Sequence, residues 1–322
     1  MKRLALFLFA AAAVALPAVA WNSVGHRTVA EIAWRQLTPQ QRDEFSALLR
    51  QHPHYGTLLT AGIPAGANTN EWVFLTAAVW PDRVRPGKKG EPRKPASVTK
   101  YNVYPHGIGH PFLRPGDTNV ALLANFSFSK PNAEVALSNS IVVLKDTSRS
   151  ASDRAVSLCW VLHLMGDLHQ PLHAATLVSA AKPRGEGLGG GCVVRDLKGE
   201  QITLHAYWDD LPGTDGSYRA IASLADELGA NPALKPGAMK EYEADRTIPA
   251  WVQESFRAAV DFAYAPDRIQ YARAEDLAAK RITPADVPMV SKAYADGAKE
   301  IAQRRLALAG QRLMDTLKQV RD

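Results

Sequence analysis

His163-Leu164-Met165-Gly166-Asp167-Leu168-His169-Gln170-Pro171-Leu172-His173 is the stretch that decides how this chain is read. It closes a long helical pattern over residues 151–170. A spacing of four puts His163 and Asp167 on one face of that helix. Pro171 is expected to end it, because a residue before proline avoids the α region. His173 can then fold back toward the same cavity. A second pair follows in Leu204-His205-Ala206-Tyr207-Trp208-Asp209-Asp210, where His205 and Asp209 are again four apart. Taken singly, such a pair is ordinarily a surface ion pair worth about 0.2–0.5 kcal/mol. Two of them inside otherwise apolar helices are different, since a buried His or Asp is costly unless paired or metal-bound. Helical bundles build interior metal sites from such pairs on separate helices.

Outward from these motifs the chain reads as helix after helix. Residues 27–50 carry Val29, Ile32, Ala33 and Leu37 at helical spacing, and Thr38-Pro39 opens a second segment through Phe45, Leu48 and Leu49. Helical patterns also cover 70–80, 132–147, 201–211, 217–229, 249–263 and about 285–320. Residues 83–118, rich in Pro, Gly, Lys and Arg, read as a long loop. Residues 182–200 form a glycine-rich excursion with a short hairpin through Val193 and Val194. Strand signals are scarce and no repeat is visible. The expected fold is all-α, a single-domain multi-helix bundle with long loops.

The first twenty residues stand apart. Lys2 and Arg3 precede an apolar run, and Ala18-Val19-Ala20 is a small-residue cleavage site. This is the pattern of a secretory signal peptide; the run is short for a membrane anchor. Cleavage after Ala20 leaves residues 21–322 as one domain and lowers the formal charge from +6 to +4. That mild excess is compatible with anionic substrates without proving them. Export also permits a bridge between Cys159 and Cys192, the only two cysteines. Two cysteines cannot supply a thiolate zinc site, so any metal must use His and carboxylates.

Trp21-Asn22-Ser23-Val24-Gly25-His26 begins at the cleavage site. With Trp80-Pro81-Asp82-Arg83-Val84-Arg85 and the two His/Asp pairs, it resembles the zinc-dependent single-strand-specific nucleases of fungi and plants. That family shares a superfamily with zinc-dependent phospholipase C. The resemblance runs to the C-terminus, where residues 305–317 look like the family's closing helix. It implies three zinc ions. Trp21, through its free amine and carbonyl, would hold one with His26. Asp82, His163 and a loop histidine would hold a second, and Asp167 would bridge these two. His173, His205 and Asp209 would hold the third. In His106-Gly107-Ile108-Gly109-His110-Pro111-Phe112 the loop ligand is His106, with His110 as the fallback. Two close zinc ions activate a water for in-line attack on phosphorus. Arg85 matches the family's arginine that neutralises transition-state charge, so Asp82, Asp167 and Arg85 carry the catalytic assignment. His169 is expected to be structural.

Three positions depart from the family. Gly107 stands where an aromatic stacks on a base, Gly109 where Asp or Asn approaches the base and scissile phosphate, and Gly191 where a Gly-Gly-Asn loop carries Asn. Losing a stacking aromatic removes roughly 1–3 kcal/mol per base. The nearby loop offers Lys88, Lys89, Arg93, Lys94 and Lys100 with Tyr101 and Tyr104 as a substitute surface. The implied activity is a secreted or periplasmic endonuclease on single-stranded DNA and RNA. Products would be 5′-phosphorylated, with 3′-nucleotidase activity besides. The alternatives are a phospholipase C or general phosphoesterase on the same three-zinc core, or a zinc-scavenging protein if the altered pocket is dead. No stable protein partner and no membrane span after cleavage are implied.

Overall fold

A computed structural model describes residues 21–87, 91–114 and 132–320. The leader, Lys88 and Lys89 lie outside the described residues. The helices are α1 (Ser23–Gln36), α2 (Pro39–Leu49), α3 (Thr69–Ala77), α4 (Trp80–Arg83), α5 (Ala96–Thr99), α6 (Ala133–Lys145), α7 (Ala151–Asp167), α8 (Pro171–Ala174), α9 (Leu204–Asp209), α10 (Tyr218–Ala230), α11 (Lys240–Ala244), α12 (Ile248–Ala258), α13 (Ala274–Ala278) and α14 (Lys292–Gln319). Five short strands join them: β1 (His110–Phe112), β2 (Ala175–Leu177), β3 (Cys192–Arg195), β4 (Gln201–Thr203) and β5 (Ala272–Arg273). The protein is all-α in character, as the apolar periodicity predicts. The expected hairpin is present, with Val193 opposite Thr203 and Val194 opposite Ile202 in antiparallel pairing. Several boundaries differ from expectation: the last helix begins at Lys292 rather than near 285, and the first at Ser23 rather than 27. The segment 201–211 begins as strand, because Thr203 caps α9 by accepting the Ala206 N–H at 3.1 Å. The loop after Arg83 contains α5 and β1, the latter pairing in parallel with β2.

Helix α7 is the axis of the fold. From Ser157 to Asp167 every residue is buried, with α1, α2, α3, α4, α6 and α14 around it. The long α14 packs along α1 at Gly310, where a Cβ would stand 2.5 Å from Ile32 Cγ2. Apolar side chains form two main clusters. The larger gathers α1, α3, α7 and α14 around Trp21, Trp80, Phe74 and Trp160. The smaller gathers β2, β3, α9 and residues near 259–298 around Trp208, Tyr264 and Tyr294. The His and Asp motifs lie at the seam between them. Cys159 belongs to the larger cluster and Cys192 to the smaller. Both are buried free thiols, so the bridge that export would permit is not made.

Candidate metal centre

Three groups of side chains in the seam each bring ligand atoms within 4.8 Å of one another. They are His26, His163 and Asp167; Asp82, His106 and His163; and His173, His205 and Asp209. All of these residues are buried except Asp82, whose side chain is 15 % exposed. Every side-chain ligand expected from the sequence is therefore in one of the groups. His110 is not. It is half-buried on β1, edge-on to Phe256 at 6.0 Å, so of the two loop histidines it is His106 that faces the others.

Backbone contacts aim the imidazoles. His163 Nδ1 donates to the Ala78 carbonyl and His173 Nδ1 to the His106 carbonyl, each at 2.7 Å. His205 Nδ1 donates to the Leu188 carbonyl. A carbonyl can only accept, so these rings carry their proton on Nδ1 and turn the Nε2 lone pair into the seam. The loop at His106 is tied to α8 in return, with the Ile108 and Gly109 N–H groups donating to the His173 carbonyl at 2.8 and 3.0 Å. Gly109 sits at φ +64°. Asn and Asp tolerate that left-handed backbone almost alone among residues with side chains. Glycine at 109 meets that backbone demand without strain and brings no polar group to the loop.

The ligand atoms are spaced for a cation. Asp167 Oδ2 lies 3.3 Å from both His106 Nδ1 and His163 Nε2, and Asp167 Oδ1 lies 3.5 Å from His26 Nε2. Asp82 Oδ1 is 3.7 Å from His106 Nδ1 and 3.8 Å from His163 Nε2, and Asp209 Oδ2 is 3.2 Å from His205 Nε2. Ligands at the usual zinc distances in a tetrahedron stand about 3.3 Å apart. His106 Nδ1 and His163 Nε2, at 2.7 Å, are markedly closer. Both oxygens of Asp167, Oδ1 of Asp82, both nitrogens of His26 and Nε2 of His106 and His173 are buried with no hydrogen-bond partner. Buried polar atoms are normally satisfied, and a concentration of exceptions on mutually facing His and Asp is what a metal site leaves. The residues present fit zinc or a similar borderline divalent cation.

Electrostatics agree. Burial holds His26, His106 and His173 far below the usual imidazole range and pushes His163 down to about 3, so all present neutral lone pairs. Burial, and then the Asp82 charge, drives Asp167 far above the usual carboxylate range; burial likewise lifts Asp82, and Asp209 to about 6. A bound cation reverses that carboxylate penalty. Arg85 stands at the edge, its side chain 23 % exposed and its Nε 3.5 Å from Asp82 Oδ1. Its positive charge reaches His26, Asp82, His106, His163, Asp167 and His173.

Trp21 is fully buried beside this group. Gly166 makes room: a Cβ there would be 2.8 Å from His26 Nδ1 and 3.6 Å from Trp21 Cδ1. The next residue is tied across to α9. The Asn22 N–H donates to the Asp209 carbonyl at 3.2 Å, and its side chain donates to Asp210 Oδ1 at 2.9 Å and the Gly213 carbonyl at 2.7 Å. Asn22 also caps α1, which is what aims His26 inward.

Sequence reading missed Gln170 and the arginines of α14 as supports. Gln170 uses Oε1 to accept the Leu172 N–H at the start of α8 and Nε2 to donate to Asp209 Oδ1 at 2.8 Å, coupling two motifs. His169 is structural, as expected: Nδ1 donates to Met165 O at 2.8 Å, and Arg312 donates to Nε2 at 2.9 Å. Arg305 and Arg312 share the half-buried Glu254 of α12, and Arg305 donates to the His169 carbonyl at 3.2 Å, so α14 clamps the end of α7. The loop tyrosines differ from expectation. Tyr101 packs edge-on to His54 and tilted against Trp80, and Tyr104 packs edge-on to Trp160. Both rings are half-buried and taken up by packing rather than offered to bases. The space beside Gly107 is also filled, since a Cβ there would be 2.8 Å from Leu188 Cδ1.

Fold and site together define an all-α protein with a buried His/Asp metal centre. Residues 21–322 match the family model described as S1/P1 Nuclease, and the chain belongs to the S1/P1 nuclease family. It is 30 % identical over 178 residues to Endonuclease 2 of Arabidopsis thaliana, a match covering 54 % of this chain and 54 % of that protein. The chain thus spans about half the length of the curated relative it matches. Among the described residues no helix is long and apolar enough to cross a membrane.

Proposed function

We propose that this protein is a secreted, zinc-dependent phosphodiesterase that cleaves single-stranded DNA and RNA to 5′-phosphorylated products and removes 3′-phosphate from nucleotides. The observation that carries the reading is the shared Asp167. It faces His26 through one oxygen and His106 and His163 through the other, with neither oxygen hydrogen-bonded. In this reading Trp21 and His26 hold one zinc, Asp82, His106 and His163 a second, and His173, His205 and Asp209 a third. Bound zinc supplies Lewis-acid polarisation of the phosphoryl group and a water of lowered pKa. The chain's own part is to keep the imidazoles neutral, fix their tautomers and hold a positive charge at the rim. Arg85 presents that charge where negative charge grows on the phosphoryl oxygens, in a site dry enough to make it count. Because Leu188 occupies the space beside Gly107, base recognition is weaker here than phosphate recognition.

The free amine of Trp21 exists only after cleavage following Ala20, so export and completion of the centre become one event. The test uses mature protein beginning at Trp21, loaded with zinc, on single-stranded DNA, RNA, 3′-AMP and phosphatidylcholine. Cleavage of nucleic acid and 3′-AMP is expected; cleavage of the lipid alone would falsify the nuclease reading. One residue added before Trp21 should lower zinc content and rate, and full retention of both removes Trp21 from the ligand set.

A further inference from the structure

The glycine-rich loop holds a carboxylate that the reading above leaves without a task. Glu186 accepts the Gly189 N–H on both oxygens at 2.8 Å, the Gly191 N–H on Oε2 at 3.1 Å and the Leu177 N–H on Oε1 at 3.3 Å. The hydroxyl of fully buried Tyr264 donates to Oε1 at 2.7 Å. One side chain therefore collects donors from β2, the loop and the end of the α12 segment. The turn is tight enough to need glycine at 191, where a Cβ would lie 2.7 Å from the main-chain carbonyl of residue 186.

The backbone that Glu186 gathers is an unusual one. Gly187, Leu188 and Gly189 all have positive φ, at +87°, +62° and +89°. A leucine in the left-handed region is rare and persists only where its surroundings over-determine it. The consequence falls on His205. In this path the Leu188 carbonyl accepts from His205 Nδ1 and the Gly189 carbonyl accepts the His205 N–H at 3.3 Å. Those two contacts turn Nε2 toward Asp209.

We propose that Glu186 is a positioning residue for the third metal position. It holds residues 187–189 in the left-handed path whose Leu188 carbonyl fixes the tautomer and angle of His205. Partners that orient a ligating histidine govern metal affinity by about 10–100-fold. The proposal rests on the three-ion reading, and zinc content of the unaltered protein tests that reading first: fewer than three ions there sinks the reading itself. With three ions present, Glu186→Gln is expected to lose one ion at about 10–100-fold lower chelator concentration while the other two stay. Long-range 1H–15N spectra of the zinc-free variant should show His205 losing its Nδ1-protonated signature. Leu188→Gly suits the positive φ and should keep all three ions. Tyr264→Phe removes one donor and should weaken the same single ion less; it carries the test if Glu186→Gln does not fold. Three ions held with unchanged affinity in Glu186→Gln and Tyr264→Phe, or all three lost together in either, overturns the proposal.

Discussion

His26, His163 and Asp167 stand on helices of 14 and 17 residues sunk in the larger apolar cluster, whereas His173 and His205 stand on helices of 4 and 6 residues. The first set is held chiefly by packing, with one backbone contact, His163 Nδ1 to the Ala78 carbonyl. Its ligand angles follow from where α1 and α7 cross, with Gly166 letting the two come close. The second set is held by hydrogen bonds that His173 and His205 donate to the His106 and Leu188 carbonyls, with Gln170 donating to their companion Asp209. Packing spreads a perturbation over many weak contacts; a hydrogen-bonded support fails one partner at a time. The third metal position should therefore be the one that single substitutions outside the ligands detach.

The largest expected effect breaks the packed half. Asp167→Asn removes the charge that faces His26 on one side and His106 and His163 on the other, and activity should fall to the detection floor with zinc content reduced to that of the third position alone. Mass spectrometry of the native protein reads this directly. Next, Arg85→Ala should lower kcat by about 10²–10³-fold while leaving zinc content intact. A drop in zinc content would recast Arg85 as a support for Asp82. On the hydrogen-bonded half, Gln170→Ala should weaken only the third ion, by about 10–100-fold, in a chelator titration. Equal loss from both halves would erase the contrast drawn above.

Smaller effects sharpen it. Gly107→Phe should meet Leu188 and reduce turnover of 3′-AMP several-fold, and a second change, Leu188→Ala, should recover part of that loss. No recovery would mean that the His173 carbonyl, 3.3 Å from a Cβ at 107, is the true obstacle. Away from the centre, burial and the charge of His54 push His52 down to about 3. The unfolded chain takes up that proton near pH 6.5 and the folded one refuses it. Stability from this residue is thus present above about pH 6.5 and is lost progressively as pH falls toward 3. Denaturant titrations of unaltered protein and His52→Gln between pH 7 and 4 should differ in slope by up to about one proton. Parallel slopes would contradict it.

The helices were legible because apolar spacing is a local property, and so were the i,i+4 pairs His163/Asp167 and His205/Asp209. The leader and residues 88–89 were read from composition and lie outside the described residues. Gln170 and Glu186 were not legible. A glutamine beside a proline and a glutamate among glycines carry no period, and their partners lie 39 residues away at Asp209 and 78 away at Tyr264. The tyrosines of the basic loop were misplaced for the same reason: a half-exposed aromatic near lysines looks alike whether it waits for a base or packs against Trp80 or Trp160.

Chain order alone settled that there are two helical His/Asp pairs, an N-terminal Trp-to-His segment and too few cysteines for a thiolate site. It could not choose between His106 and His110, because both belong to one short loop and neither has a helical period. The parallel pairing of β1 with β2 makes that choice. It commits His110 to the strand beside Ala175 and leaves His106 to bend back against α8. Folding likewise separated the two cysteines into different clusters. Periodicity reports which face of an element is buried, while ligand geometry depends on how distant elements meet, and that is set by packing and backbone hydrogen bonds across the seam.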